Sequence, residues 1–134
     1  MAFNSENMNP AYIETRFIGI RKIRKLPKEC FVITAYNPMD QKLPEAENKM
    51  RNQMLKQKII LQKKICLEIT GTSEDLSHQE PSFLTDANLK QSLAWANEFQ
   101  QRAIFSIKNN QLSIISCSED ERTIELGDFL GRCL

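Results

Sequence analysis

Arg102 to Cys117 reads RAIFSIKNNQLSIISC, and the way it divides decides the fold. Two runs rich in isoleucine flank Asn109-Asn110, residues that tolerate the positive φ of a tight hairpin turn. The stretch is therefore read as two antiparallel strands. Just ahead of it, DANLKQSLAWANEFQQ (86 to 101) carries Leu89, Leu93, Ala96 and Phe99 at helical spacing, with Asp86 as the expected N-cap. KICLEITGT (64 to 72) reads as a strand closed by Gly71, and EPSFLT (80 to 85) as a further short strand. CFVITAYN (30 to 37) is a denser apolar run ended by Asn37-Pro38, and AYIETRFIGI (11 to 20) alternates as a half-buried strand does.

Between Leu43 and Lys64 the period becomes helical. Pro44 suits a first turn, Glu45 and Glu47 sit where the helix dipole favours anions, and lysines crowd the far end. At about 100° per residue, Leu43, Ala46, Met50, Met54 and Leu61 share one face and are read as the main core stripe. A second stripe, Asn48, Asn52, Leu55 and Ile59, is polar early and apolar late. It suits a helix whose first half borders a polar cavity, the competing reading being two asparagines in water.

The order strand, strand, helix, strand, short strand, helix, hairpin predicts an α+β fold, a mainly antiparallel sheet with two helices on one face. The expected topology is a ferredoxin-like split β-α-β core plus a C-terminal hairpin. The tail ELGDFLGRCL is apolar enough to dock back. A mobile lead-in over 1–11 and a single domain over 12–134 follow, since 134 residues suffice for one core.

Eighteen lysines and arginines against seventeen acids leave a net charge of +1, which argues against a global basic field for nucleic acid. RKIRKLPK (21 to 28), KQKIILQKK (56 to 64) and the acidic SEDERTIE (118 to 125) are read as solvated faces. Cys30, Cys66, Cys117 and Cys133 are dispersed, MAFNSENMN has no apolar leader core, and no apolar run reaches the roughly 18 residues of a membrane span. A cytoplasmic protein with reduced thiols, no membrane association and no cofactor is expected.

TGTSEDLSHQEPS (70 to 82) holds the only histidine. His78 and Glu80 form a natural acid-base pair, and on an extended segment His78, Glu80 and Ser82 face one side. The competing reading is a capping box, Ser77 with Glu80, opening the next element. Gly71 with Thr72 and Ser73 resembles an anion-binding turn but lacks the lysine of a phosphate loop. No G-x-S-x-G elbow and no metal-ligand spacing is present, so a metal site is not expected.

ITAYNP, then Asn48, then TGTSEDLSHQEPS, QRAIF and LGDFLGR, in that order, resemble the bacterial and phage family catalogued as domain of unknown function 3293, from about Tyr12 to Arg132. The family's pattern maps onto Thr34, Asn37, Pro38, Asn48, Gly71, His78, Glu80, Ser82, Gln101 and Ala103, with Tyr36 where the family often has tryptophan. The resemblance implies a shared fold and a shared site, and no reaction.

The leading expectation is a cavity lined by segments 34–38, 48–52, 70–82 and 101–103 that binds a polar small molecule, a nucleotide being one candidate. Thr34, Tyr36, Asn37, Asn48, Asn52, Gly71, Thr72, Ser73 and Gln101 are the expected ligand contacts, Tyr36 by stacking and Thr72 and Ser73 toward a phosphate. Two alternatives stand beside it. One is a hydrolase or transferase in which His78 is general base, Glu80 assists, and Ser82 or water attacks. The other is an interaction module that meets a protein partner through Arg21 to Lys28 or an exposed sheet edge.

Overall fold

The computed structural model describes residues 10–20, 25–120 and 122–134. Most of the expected lead-in and half of the 21–28 basic run lie outside them. The described chain opens with a one-turn helix α1 (Pro10–Ile13) and a short strand β1 (Arg16–Ile18), so the stretch read as one strand is extended only in its second half. There follow β2 (Glu29–Ile33), α2 (Glu45–Leu61), β3 (Leu67–Thr72), β4 (Gln79–Thr85), α3 (Leu89–Glu98), β5 (Ala103–Lys108), β6 (Gln111–Ser116) and β7 (Thr123–Asp128).

The seven strands form one sheet in the order β1-β3-β4-β2-β5-β6-β7, antiparallel at every pairing. Its middle is the expected core. β2 and β3 run the same way with β4 between them, and β4 and β5 run the same way with β2 between them, which is a β-α-β-β-α-β unit with both crossovers split. The hairpin turns at Asn109 and Asn110, with φ of 49° and 64°, between the paired Lys108 and Gln111. Both central residues left-handed is the turn whose twist matches the strands it joins. The tail does more than dock: it begins within Thr123–Asp128, which pairs with β6 as the seventh strand.

Alternation along β2 separates two cores. Phe31 and Ile33 face both helices and pack with Leu55, Ile59, Trp95 and Phe99. Cys30 and Val32 face the other way, with Phe17, Ile69, Leu84, Ile107, Leu112 and Phe129. Neither α2 nor α3 covers this second core; the sheet encloses it by curling, as twist accumulates over seven strands and a bulge at Leu112/Ser113 bends β6. The ends of the sheet meet: Phe17 bridges Cys133, and the Leu134 N–H donates to Phe17 O at 2.8 Å. Phe17, fully buried, stacks edge-on against Phe105 at 5.2 Å.

Two helix readings are corrected. The stripe of α2 that faces the sheet is Asn48, Asn52, Leu55 and Ile59, whereas Met50, Met54 and Leu61 are 67%, 50% and 77% exposed. Both stripes have helical period, and the choice between them is made by backbone groups of the sheet that need the asparagine amides. Met54→Gln should therefore keep the unfolding free energy of dilute protein within about 0.5 kcal/mol of the parent in a urea titration. A core methionine would cost several times more. The N-cap of α3 is Asn88, whose side chain accepts from the Gln91 N–H at 2.8 Å; Asp86 instead accepts from the Ile65 N–H, tying the start of β3 to the end of β4.

Candidate functional site

A cavity of about 650 Å³ opens where the curled face of the sheet reaches the ends of β2, β3 and β4. It is lined by Thr34, one residue beyond β2, by Gly71 of β3, Glu80 and Ser82 of β4 and Ala103 and Phe105 of β5, and also by Tyr12, Asp40 and the exposed His78. Of the sequence-derived residues the structure brings to this cavity Thr34, Tyr36, Asn37, Asn48, Gly71, Thr72, Ser73, His78, Glu80, Ser82 and Gln101. Asn52 is not among them.

Most of the amides expected to hold a ligand are committed to the main chain. Asn48, 2% exposed, accepts from the Asn37 N–H at 2.9 Å and donates to Asn37 Oδ1 at 2.8 Å and Leu43 O at 3.3 Å. This clamp holds a turn in which Asn37, Met39 and Asp40 all have positive φ. Gln101 Nε2 donates to Tyr36 O at 2.9 Å and Phe99 O at 3.1 Å. Asn52 has a more particular task. Pro81 has no N–H and β2 ends at Ile33, so the ladder between β2 and β4 stops there; Asn52 continues it, accepting from the Ala35 N–H at 2.8 Å and donating to Pro81 O at 2.9 Å. Thr34 Oγ1 also donates to Pro81 O, at 2.7 Å. Tyr36 is 5% exposed and its hydroxyl donates to Glu45 at 2.8 Å, so its ring is a wall of the cavity and not a free stacking platform.

The 70–82 stretch is a β-hairpin. Gly71 and Thr72 sit inside β3, paired to Phe17 and Arg16 on one side and Glu80 and Gln79 on the other. Their backbone groups belong to ladders, so the anion-binding turn read from TGTS is not formed. The capping box is not formed either, because β4 and not a helix follows. Asp75 organises the loop instead, accepting from Ser73 Oγ and Ser77 Oγ at 2.7 Å and from the Ser77 N–H at 3.0 Å, and these bonds hold its carboxyl well below the usual range. Ser73 Oγ also receives the His78 N–H at 3.1 Å. His78 is exposed at the rim. Ser82 Oγ donates to the main-chain oxygen of Glu80 at 3.0 Å and is not hydrogen-bonded to His78.

Glu80 is the chemically distinctive group. Its carboxyl accepts no hydrogen bond from the described residues, and burial, followed by the nearby charge of Asp40, pushes it up to about 7. Asp40 in turn receives the Tyr12 hydroxyl at 2.6 Å and the Arg102 guanidinium at 3.0 Å. Burial and the bond to Asp40 raise the Tyr12 phenol far above its ordinary range, so both tyrosines present neutral hydroxyls. Tyr12 and Asp40 escaped the sequence reading. Tyr12 lies in α1 where its alternating neighbours suggest a strand, and Asp40 lies in a turn whose left-handed geometry is held from α2 by Asn48. The cysteines offer no competing nucleophile: burial pushes Cys30 and Cys117 up to about 12, which keeps them as thiols at neutral pH. Among the described residues no three His, Cys, Asp or Glu are grouped to hold a metal ion, and no helix is long and apolar enough to cross a membrane.

The family model described as protein of unknown function (DUF3293) matches residues 33–104, more than half of the chain. The chain belongs to this family. The DUF3293 span begins at the last residue of β2 and ends at the second of β5, so it contains the Asn37–Asn48 clamp, the Asn52 bridge, Glu80 and Gln101. Tyr12, Phe17 and Phe105 reach the cavity from outside it. No curated protein and no solved structure matches the chain.

Proposed function

We propose that this DUF3293 protein binds a polar small molecule in the cavity, gripping it through the Glu80 carboxyl. The observation that carries this reading is a part-buried carboxyl that accepts no hydrogen bond from the described residues, in a cavity where the Asn48, Gln101 and Thr34 side chains are already bonded to the main chain. Such a group costs free energy to keep desolvated, and a ligand that donates hydrogen bonds to it recovers that cost. The ligand class that fits is one presenting paired N–H donors, as the edge of a nucleobase does. A nucleotide would enter base first, because the Gly71–Thr72 amides are held in ladders. The neutral phenol oxygens of Tyr12 and Tyr36 accept further donors. Calorimetric titration with free nucleobases, nucleosides and small amidines tests this. Binding is expected to weaken at least about tenfold in Glu80→Gln, the loss of a charge-assisted bond. No binder in that series, or affinity indifferent to Glu80→Gln, would defeat the proposal.

One observation favours a second reading, catalysis. A carboxyl pushed up to about 7 lines the same cavity as an exposed histidine, and such a carboxyl is the group that general acid-base transfer near neutral pH uses. Ser82 is 7% exposed and bonded to its own strand, so water and not Ser82 would attack in a hydrolase of this kind. Turnover that persists in both His78→Ala and Glu80→Gln would exclude it.

A further inference from the structure

The outward stripe of α2 carries three exposed apolar side chains, and nothing in the described chain covers them. Glu47, Met50, Met54, Gln57 and Leu61 follow one another at alternating steps of three and four residues, the spacing of a coiled-coil seam. Met50, Met54 and Leu61 lie half to three-quarters exposed, and Ile60 beside them is 53% exposed. Isolated exposed apolar residues are ordinary on a protein surface; a seam of them along one helix is not.

We propose that this stripe joins two copies of the chain, their α2 helices antiparallel about a two-fold axis midway between Met50 and Met54. The occupant is a second copy because the stripe complements itself. A two-fold contact sets each flank of the helix against the same flank of its mate. With the axis there, Met50 faces Met54 of the second copy along the seam. On one flank Glu47 meets Lys58, and on the other Ala46 meets Ile60. The acidic first turn of each helix, with Glu45 and Glu47, lies toward the lysine-rich end of the other, and the helix dipoles oppose. A parallel pairing would set the seam residue Glu47 against its own copy. Lys58 Nζ already touches Glu98 at 2.8 Å, and an ammonium has three donors, so a second carboxylate can join. A seam of one helix, about 25 Å long, makes a small contact and thus a dimer of modest affinity.

Sedimentation equilibrium of the purified chain over a wide concentration range tests the contact. A reversible monomer-dimer equilibrium is expected, with Met54→Glu weakening it by about a hundredfold and Glu47→Lys or Lys58→Glu by about tenfold each. Mixing the Glu47→Lys and Lys58→Glu proteins is expected to restore association to within about threefold of the parent, because every facing pair then has opposite signs. A chain that stays monomeric throughout, a dimer indifferent to Met54→Glu, or a mixture no tighter than its components overturns the proposal. Melting curves of each variant confirm that the exposed substitutions leave the fold intact.

Discussion

Asn48→Ala is expected to lower the unfolding free energy by about 3 kcal/mol, read as a shift of the urea midpoint at constant slope. The side chain is almost wholly buried and makes three hydrogen bonds, two to Asn37 and one to Leu43 O. Alanine strands the Asn37 N–H and leaves Asn37 Oδ1 with the Leu43 N–H alone. The clamp also opposes strain, since Asn37, Met39 and Asp40 each have positive φ, a conformation that L side chains resist by about 1 kcal/mol or more apiece. Asn48→Asp is the informative companion. It keeps an acceptor for the Asn37 N–H but sets a carboxylate against Asn37 Oδ1, so it should cost as much as alanine. For a chain of this size the loss corresponds to about 10 °C in Tm. A small effect in both variants would mean that the turn holds itself and that Asn48 is free to serve a ligand.

Glu80→Gln is expected to abolish the loss of stability that the parent suffers as pH rises through neutrality. The carboxyl titrates near 7 in the folded chain and near 4.5 when unfolded, so folding favours its protonated form. That contribution is fully present below about pH 4.5 and is lost as pH rises through 7, where the folded state must carry a desolvated carboxylate beside Asp40. The parent should lose about 2 kcal/mol between pH 5 and 8, less than the full shift implies because the carboxyl keeps part of its hydration. Glutamine cannot ionise, so the variant should match the parent near pH 5 and exceed it by a similar margin at pH 8. Urea titrations at both pH values decide it; parallel curves for the two proteins would show that the carboxyl is solvated. The same instability is what a donor-bearing ligand relieves, so the gain at pH 8 and the loss of binding belong to one group.

The identity and order of the elements were legible because they depend on neighbours within a few residues. Period two along CFVI, period 3.6 after Pro44 and the left-handed tolerance of Asn109-Asn110 arise from local dihedral geometry, and together they specified a split β-α-β core with a hairpin. The tertiary structure alone decided which α2 stripe turned inward. Both stripes repeat helically, and the more apolar one lost because Ala35, Asn37 and Pro81, distant in sequence, needed amide partners that only Asn48 and Asn52 supply. It also decided the cavity. Tyr12 and Asp40 reach Glu80 only once the sheet has curled and the Asn37 turn has taken its left-handed form, and neither event leaves a periodic trace in the chain.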